Sequence, residues 1–269
     1  MDALTQIDTW PVGRAVAAVI GPGGVLGTRG PTDRPFPLAS VTKPLTALAC
    51  LVAVEEGAIE LDEPAGPPGS TVRHLLAHAS GYAFDRAERA AAPGTRRIYS
   101  NAGFEALGAH VAAATGMPFA EYFGQAVCEP LGLAATALTG SPAYAATSTV
   151  ADLTRVAAEL LAPALLHPQT VGQATAVQFP GLSGVLPGYG RQADNDWGLG
   201  MEIRDSKSPH WTGAGNSPAT FGHFGRSGTF LWVDPVARLA CVVLTDTEFG
   251  DWAVRAWPPL SDAILTEAG

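Results

Sequence analysis

The stretch SVTKPLTALACLVAVEEG, residues 40–57, decides the fold of this chain. From Val41 to Val54 almost every residue is apolar, so a helix here has no face suited to water and is predicted to be buried. Proline is tolerated only in the first turn of a helix, and Pro44 therefore places the helix start near Ser40. Gly57 follows two glutamates and is predicted to end the helix.

Lys43 stands in an unfavourable position for a lysine. In the first helical turn its charge opposes the positive end of the helix dipole, and its neighbours are apolar. Residues three apart share a helix face, so the amine is predicted to lie beside the Ser40 hydroxyl. A desolvated lysine with a lowered pKa can take a proton from a serine. The alternative is that the aliphatic part of the Lys43 side chain is buried while its amine reaches the surface. A single Ser-x-x-Lys motif does not decide between a catalytic and a structural lysine.

Composition and charge exclude several classes of protein. Of the 269 residues, 47% are hydrophobic and 15% are charged, which is typical of a globular protein with a large core. A net charge of −9 without any Lys/Arg run argues against nucleic acid or anionic membranes as partners. No apolar stretch is long enough to span a bilayer, and the N-terminal MDALTQIDTWPVGR lacks the order of a secretory signal. The chain as given is predicted to be cytoplasmic, and its oligomeric state stays open.

No metal or cofactor is expected. Cys50, Cys128 and Cys241 show neither CxxC nor metal-ligand spacing. His74 and His78 are one helical turn apart, but the glutamate of a zinc-protease helix is missing. Both histidines are predicted to have structural roles.

The secondary-structure pattern predicts strands at both ends of the chain and helices between them. Apolar patterns and turn residues predict strands at 14–20, 25–30, 197–203, 219–224, 228–233 and 238–245, and helices at 71–78, 102–115, 119–127, 148–161 and 252–266. The expected fold is of the α+β type, with an antiparallel sheet built from N- and C-terminal strands, flanking helices and an inserted helical lobe. We expect one domain, with the sheet part at 1–39 and 181–269 and the lobe at 40–180.

Two further polar clusters accompany the serine and lysine. Tyr99-Ser100-Asn101 immediately precedes a predicted helix, and His223-Phe224-Gly225 lies on a predicted terminal strand. Taken singly, Tyr99 can be a half-buried loop aromatic and Asn101 a helix N-cap. The α/β-hydrolase motif G-x-S-x-G is not met, because Gly225-Arg226-Ser227-Gly228 is followed by Thr229.

The three clusters in this order resemble the signatures of the penicillin-recognising serine hydrolases, which include class C β-lactamases, DD-peptidases and β-lactamase-like esterases. Those signatures are S-x-x-K, then Y-x-N, then H-x-G or K-T-G. The resemblance extends from about residue 39 to 245 and includes the connecting segments 61–64, 72–81, 93–94, 130–133 and 228–235. It implies a fold like that of β-lactamases and transpeptidases.

The resemblance also implies roles for individual residues. Ser40 would be the nucleophile that forms an acyl-enzyme, and Lys43 and Tyr99 would share the role of general base. Cations at Lys43 and His223 would favour the Tyr99 phenolate. Asn101 would hold Lys43 and the acyl side of the substrate.

Further roles concern the oxyanion and the substrate. The backbone N–H groups of Ser40 and Arg226 would form the oxyanion hole. His223, Phe224, Gly225 and Arg226, together with Asn101, would bind the substrate.

Two departures from the family pattern bear on the substrate. Phe224 replaces a Thr or Ser whose hydroxyl binds a substrate carboxylate, which should weaken anionic substrates unless Arg226, Arg96 or Arg97 compensates. Phe224 is also expected to pack against the lobe. The segments 63–71 and 81–93 are short, so a trimmed lobe and a more open site are expected.

The expected function is therefore that of a serine hydrolase acting as an esterase or amidase on small molecules. Alternatives are a β-lactamase acting on β-lactams or a D-Ala-D-Ala carboxypeptidase. An alternative of another class is a non-catalytic module that binds or senses β-lactams.

Overall fold

The two ends of the chain form one antiparallel sheet in the computed structural model, which describes residues 1–269. The strands are β1 (Ala15–Gly21), β2 (Gly24–Arg29), β3 (Phe36–Pro37), β4 (Ala137–Leu138), β5 (Ala146–Ser148), β6 (Gly184–Leu186), β7 (Gly190–Gln192), β8 (Glu202–Ile203), β9 (Phe221–Gly225), β10 (Thr229–Asp234) and β11 (Leu239–Thr245). The main sheet has the order β2-β1-β11-β10-β9-β8. N-terminal β1 thus pairs with C-terminal β11, as predicted.

Eight α-helices surround the sheet. They are α1 (Thr42–Glu55), α2 (Val72–Leu76), α3 (Asn101–Thr115), α4 (Phe119–Phe123), α5 (Glu129–Leu131), α6 (Val150–Leu161), α7 (Pro168–Ala174) and α8 (Asp251–Ala268). None of these helices is long and apolar enough to cross a membrane.

The central strands are buried on both faces because successive side chains alternate between two cores. On β1, Ala17 and Val19 face a core shared with α8 and with the 3₁₀ segment Asp2–Thr9. Val16, Ala18 and Ile20 face the larger core, which contains the apolar residues of α1 and α6. The sheet is therefore the middle layer of three, and α1 lies in the larger core.

Most predicted elements are present, with three differences. The strand predicted at 197–203 is reduced to β8, because a loop with Gly198 and Gly200 precedes it. The helix predicted at 119–127 ends at Phe123 and continues as a π-helical turn, Gly124–Cys128. The core helix begins at Thr42, so Ser40 lies just before it. The α+β fold with an antiparallel sheet is confirmed.

The division of the chain into a sheet part and a lobe stays a prediction. α6 lies within the range assigned to the lobe, but it packs on β1 and β11 of the main sheet.

Candidate active site

Ser40 lies in a single 3₁₀ turn, Ala39–Val41, that leads directly into α1. Ala39 has a φ of 46°, a left-handed conformation that costs a residue with a side chain about 1–3 kcal/mol. The preceding residue, Leu38, is held from two directions. Its N–H donates to the Ala146 carbonyl at 2.9 Å, and its carbonyl accepts a hydrogen bond of 2.9 Å from the Thr229 hydroxyl. The strained turn that presents Ser40 is thus fixed by two different strands, β5 and β10.

Lys43 is fully buried one turn further along and contacts three oxygens. Its Nζ lies 2.7 Å from Asn101 Oδ1, 3.0 Å from the Ala143 carbonyl oxygen and 3.4 Å from Ser40 Oγ. The loop that supplies the Ala143 carbonyl is itself held by α1, because the Thr46 hydroxyl donates to the Pro142 carbonyl at 2.7 Å.

The burial of Lys43 favours the neutral form of its amine. Burial lowers the pKa of the amine well below its ordinary value, and the attraction of Asp85 and Glu105 offsets this only in part. A neutral amine has two hydrogens, which suffice for the two oxygens at the shorter distances. Its lone pair is then left for the serine hydroxyl, so Lys43 is placed as a proton acceptor.

Tyr99 contacts Ser40 from another side. Its hydroxyl donates a hydrogen bond of 2.7 Å to Ser40 Oγ and lies 3.5 Å from His223 Nε2. The prediction that nearby cations favour the Tyr99 phenolate is wrong. Burial raises the pKa of Tyr99 above its ordinary value, and burial lowers the pKa of His223 to about 3. Tyr99 therefore carries its proton at neutral pH, and His223 is uncharged.

Ser100, rather than Asn101, is the N-cap of α3. Its hydroxyl accepts a hydrogen bond from the Gly103 N–H at 3.0 Å and donates one to the Ala83 carbonyl at 2.7 Å. Asn101 is the first residue of the helix, and its side chain is free to bridge Lys43 and Asp85. Asn101 Nδ2 donates to Asp85 Oδ1 at 2.7 Å.

The end of β9 approaches the serine closely. A Cβ added to Gly225 would meet the Leu38 carbonyl oxygen at 2.4 Å, so only glycine allows this contact. The next residue, Arg226, has its carbonyl fixed by the Phe249 N–H at 2.8 Å. Its own N–H donates to no other group of the protein. The Arg226 side chain is exposed and pairs with Glu248 at 3.5 Å.

The Phe224 side chain points away from the helical lobe. Its ring packs against Phe249, Trp211 and Trp257, with centroid distances of 5.0, 5.7 and 5.9 Å. The expectation that Phe224 packs against the lobe is therefore wrong. Successive side chains on a strand face opposite sides of the sheet. Because His223 faces Tyr99, the Phe224 ring lies in the core shared with α8.

A cavity of about 250 Å³ opens at the serine. It brings together Ser40, Tyr99, His223, Phe224 and Arg226, and its other walls are Phe84, Leu186, Pro187, Gly188, Trp197, Glu202 and Phe249. The surface of the cavity as a whole is mostly apolar.

Three groups at the site were not predicted: the Ala143 carbonyl, Asp85 and Glu202. No motif marks them, because a backbone carbonyl has no residue signature and the two acids reach the site from loops or short strands.

The two histidines considered as metal ligands have other contacts. His78 is buried, and its Nδ1 accepts a hydrogen bond of 3.1 Å from the Ser100 N–H. Its ring packs on Tyr99 at a centroid distance of 4.6 Å. His74 stacks on Phe179 at 4.3 Å. His78 thus supports the position of the Tyr99 loop.

A solved structure of high sequence identity matches this chain over its full length. A crystal structure of a beta-lactamase from Mycobacterium bovis is 60% identical, has a TM-score of 0.98 and covers 99% of both chains.

Two curated relatives match over shorter stretches. Esterase EstB of Burkholderia gladioli is 32% identical over 148 residues, which cover 38% of each protein. The D-alanyl-D-alanine-carboxypeptidase/endopeptidase AmpH of Escherichia coli (strain K12) is 28% identical over 142 residues, which cover 39% of this chain and 37% of AmpH. The chain thus matches well under half the length of these curated relatives.

The family assignment rests on nearly the whole chain. The sequence model of the family described as Beta-lactamase matches residues 12–264. The resemblance inferred from the three motifs is therefore confirmed, and the chain belongs to the beta-lactamase family.

Proposed function

We propose that the protein is a serine hydrolase that forms an acyl-enzyme on Ser40 and acts mainly on small esters. One observation carries the proposal: Ser40 Oγ lies 2.7 Å from the Tyr99 hydroxyl and 3.4 Å from a Lys43 amine whose burial favours its neutral form. A proton acceptor and a proton donor therefore flank the same oxygen. A purely structural serine needs neither.

The proton path follows from these protonation states. Lys43 accepts the Ser40 proton as Oγ attacks the ester carbonyl carbon, and the carbonyl π electrons move to its oxygen. When the tetrahedral intermediate collapses, Tyr99 gives its proton to the departing alkoxide oxygen. A proton from the Lys43 ammonium then restores the Tyr99 hydroxyl. Water then attacks the carbonyl carbon of the acyl-enzyme, and the proton transfers run in reverse. The acid is released and the Ser40 hydroxyl is restored.

The oxyanion of the intermediate needs preorganised donors. The Arg226 N–H is unused by the rest of the protein, and Gly225 holds it near the Ser40 turn. Together with the Ser40 N–H it is proposed to form the oxyanion hole, in which one donor is typically worth about 3 kcal/mol.

The cavity walls support a neutral substrate around the reacting bond. Phe84, Trp197 and Phe249 are apolar, and Phe224 supplies a ring instead of a hydroxyl at the third motif. A carboxylate next to the scissile bond therefore lacks the hydrogen bond that a Thr or Ser would donate, a loss of about 1.5–3 kcal/mol. This favours esters over penicillins and over peptides that end in D-alanine.

Hydrolysis of β-lactams is the second candidate. It is favoured by the full-length similarity, at 60% identity, to the Mycobacterium bovis protein described as a beta-lactamase.

A hydrolysis panel separates these functions. Wild-type protein and the Ser40→Ala variant are assayed with 4-nitrophenyl acetate and butyrate, a chromogenic cephalosporin and a D-Ala-D-Ala peptide. We expect the highest kcat/KM with the aryl esters, and its loss in Ser40→Ala. A higher kcat/KM for the cephalosporin would support the second candidate instead. Stable acylation by a penicillin without turnover of any substrate would indicate a sensor.

A further inference from the structure

A second cavity, of about 370 Å³, adjoins the catalytic one. The two cavities share the side chains of Phe84, Tyr99 and Pro187 as walls. The second cavity thus borders the same Tyr99 residue that contacts Ser40.

Three arginines and no carboxylate line the second cavity. Arg97 is buried and donates hydrogen bonds to the backbone carbonyls of Ala77, Gln178, Phe179 and Asn195. Burial lowers the pKa of Arg97 to about 10, with Asp196 opposing the shift, so it stays charged at neutral pH. The guanidinium of Arg97 is therefore a fixed positive charge, and it is not available to bind a ligand.

Arg96 and Arg191 differ from Arg97, because both are exposed and neither forms a side-chain hydrogen bond or an ion pair with the protein. This is notable in a chain with a net charge of −9, where acidic partners are in excess. Two arginines that line the same cavity, which has no acid, leave their five-donor guanidinium groups open to an anion.

Another cavity that contains Ser40 has a different charge balance. It has a volume of about 430 Å³ and is lined by two acids, Asp85 and Glu105, and by one arginine, Arg226. An anionic group is therefore attracted more strongly to the cavity that has three arginines and no acid.

We propose that Arg96 and Arg191 form a subsite for a carboxylate at the far end of the substrate's leaving group. The proposal rests on the proposed function, in which Tyr99 protonates the leaving oxygen. The departing alcohol is then placed in the second cavity, which Tyr99 also lines. Ile98 and Val185 add apolar walls to the second cavity. The substrate class is therefore an ester of a carboxylate-bearing phenol or alcohol with an apolar body.

This subsite is separate from the position that Phe224 has lost. Phe224 lies in the catalytic cavity beside His223, whereas it does not line the second cavity. A carboxylate next to the reacting bond is thus disfavoured, and one placed beyond the Tyr99 ring is favoured.

The test compares two esters that differ only in a remote charge, 4-acetoxyphenylacetate and its carboxamide. We expect wild-type kcat/KM to be about tenfold higher for the carboxylate at low salt, and the ratio to fall with added NaCl. In the Arg96→Gln/Arg191→Gln double variant the ratio should fall about tenfold, to near one. Arg255→Gln, which removes an exposed charge from α8, is the matched control and should keep the wild-type ratio. Equal rates for both esters in the wild type, or an unchanged ratio in the double variant, would overturn the proposal.

A binding measurement keeps the test independent of turnover. Calorimetry with Ser40→Ala protein compares 4-hydroxyphenylacetate, the carboxylate-bearing product, with 4-hydroxyphenylacetamide. We expect about tenfold tighter binding of the acid, lost when both arginines are also replaced. If no ester is turned over but this preference is present, the proposed function fails and the anion subsite stands. Ester turnover without the preference overturns the subsite alone.

Discussion

Replacing Tyr99 by phenylalanine removes one hydroxyl from the site and keeps the ring. The lost group donates the 2.7 Å hydrogen bond to Ser40 Oγ, whereas the Lys43 amine, 3.4 Å from the same oxygen, stays in place. The proton acceptor for Ser40 is thus retained and the proton donor for the leaving group is lost. We expect turnover of an alkyl ester to fall about 100-fold, which corresponds to about 2.7 kcal/mol of activation free energy.

The prediction is most specific when two esters with different leaving groups are compared. A 4-nitrophenolate leaves without a proton, so Tyr99→Phe should reduce turnover of 4-nitrophenyl acetate by only about tenfold or less. Turnover of ethyl acetate requires protonation of the departing ethoxide and should show the full loss. Steady-state kcat/KM for both esters is measured in both proteins.

Tyr189→Phe is the matched control for this substitution. The Tyr189 hydroxyl is buried without a hydrogen-bond partner, and its ring packs near the site against Phe224 at a centroid distance of 6.0 Å. We expect this variant to keep wild-type kinetics and wild-type stability. Unchanged kinetics in Tyr99→Phe, or equal losses for the two esters, would refute the role of Tyr99 as proton donor.

Three other substitutions test the site and its surroundings. Gly225→Ala places a Cβ 2.4 Å from the Leu38 carbonyl oxygen and should reduce the kcat/KM for esters more than tenfold. Gly172→Ala is the control, because no atom lies within 4 Å of its added Cβ, and it should keep the wild-type kcat/KM. Equal activities of the two variants would contradict the close approach of β9 to the Ser40 turn. Phe224→Thr should raise the ratio of kcat/KM for a penicillin to kcat/KM for an ester about tenfold. It should also lower the free energy of unfolding, measured in urea, by about 2–4 kcal/mol. An unchanged ratio would show that Phe224 does not set the charge preference. His223 has an ordinary pKa of 6.5 and a folded-state pKa of about 3, so between these values the unfolded chain binds a proton that the native protein does not, and stability falls as pH falls. The free energy of unfolding in urea is measured between about pH 6 and 4 for the wild type and for His223→Gln. The slope of this free energy against pH should be smaller in the variant by up to about 1.4 kcal/mol per pH unit. Parallel profiles for the two proteins would contradict a neutral buried imidazole.

The sequence predicted the fold well where local patterns coincide with burial. The apolar run 41–54 and the terminal strands follow the periodicities of their elements. The strand predicted at 197–203 differs because Gly198 and Gly200 fit close contacts that no periodicity records. A Cβ on Gly198 would meet the Ala174 carbonyl oxygen at 2.0 Å, and one on Gly200 would meet the Ala47 side chain at 2.3 Å.

The residues of the candidate site could be predicted from the sequence, but their protonation states could not. The motifs gave Ser40, Lys43, Tyr99 and Asn101, which the fold brings into direct contact. Whether Tyr99 is ionised depends on burial by neighbours that are distant in sequence, and burial raises its pKa instead of lowering it. The Ala143 carbonyl lies 100 residues from Lys43, and no spacing rule anticipates that contact.

The mass of the intact protein during turnover tests the central claim most directly. Wild-type protein and Ser40→Ala are mixed with 4-nitrophenyl butyrate, quenched in acid after milliseconds to minutes, and weighed, with peptide mapping to locate any adduct. We predict a butyryl adduct on Ser40 in the wild type that disappears once the ester is consumed, and no adduct in Ser40→Ala. Hydrolysis with no adduct at any time, or an adduct on another residue, would contradict an acyl-enzyme on Ser40.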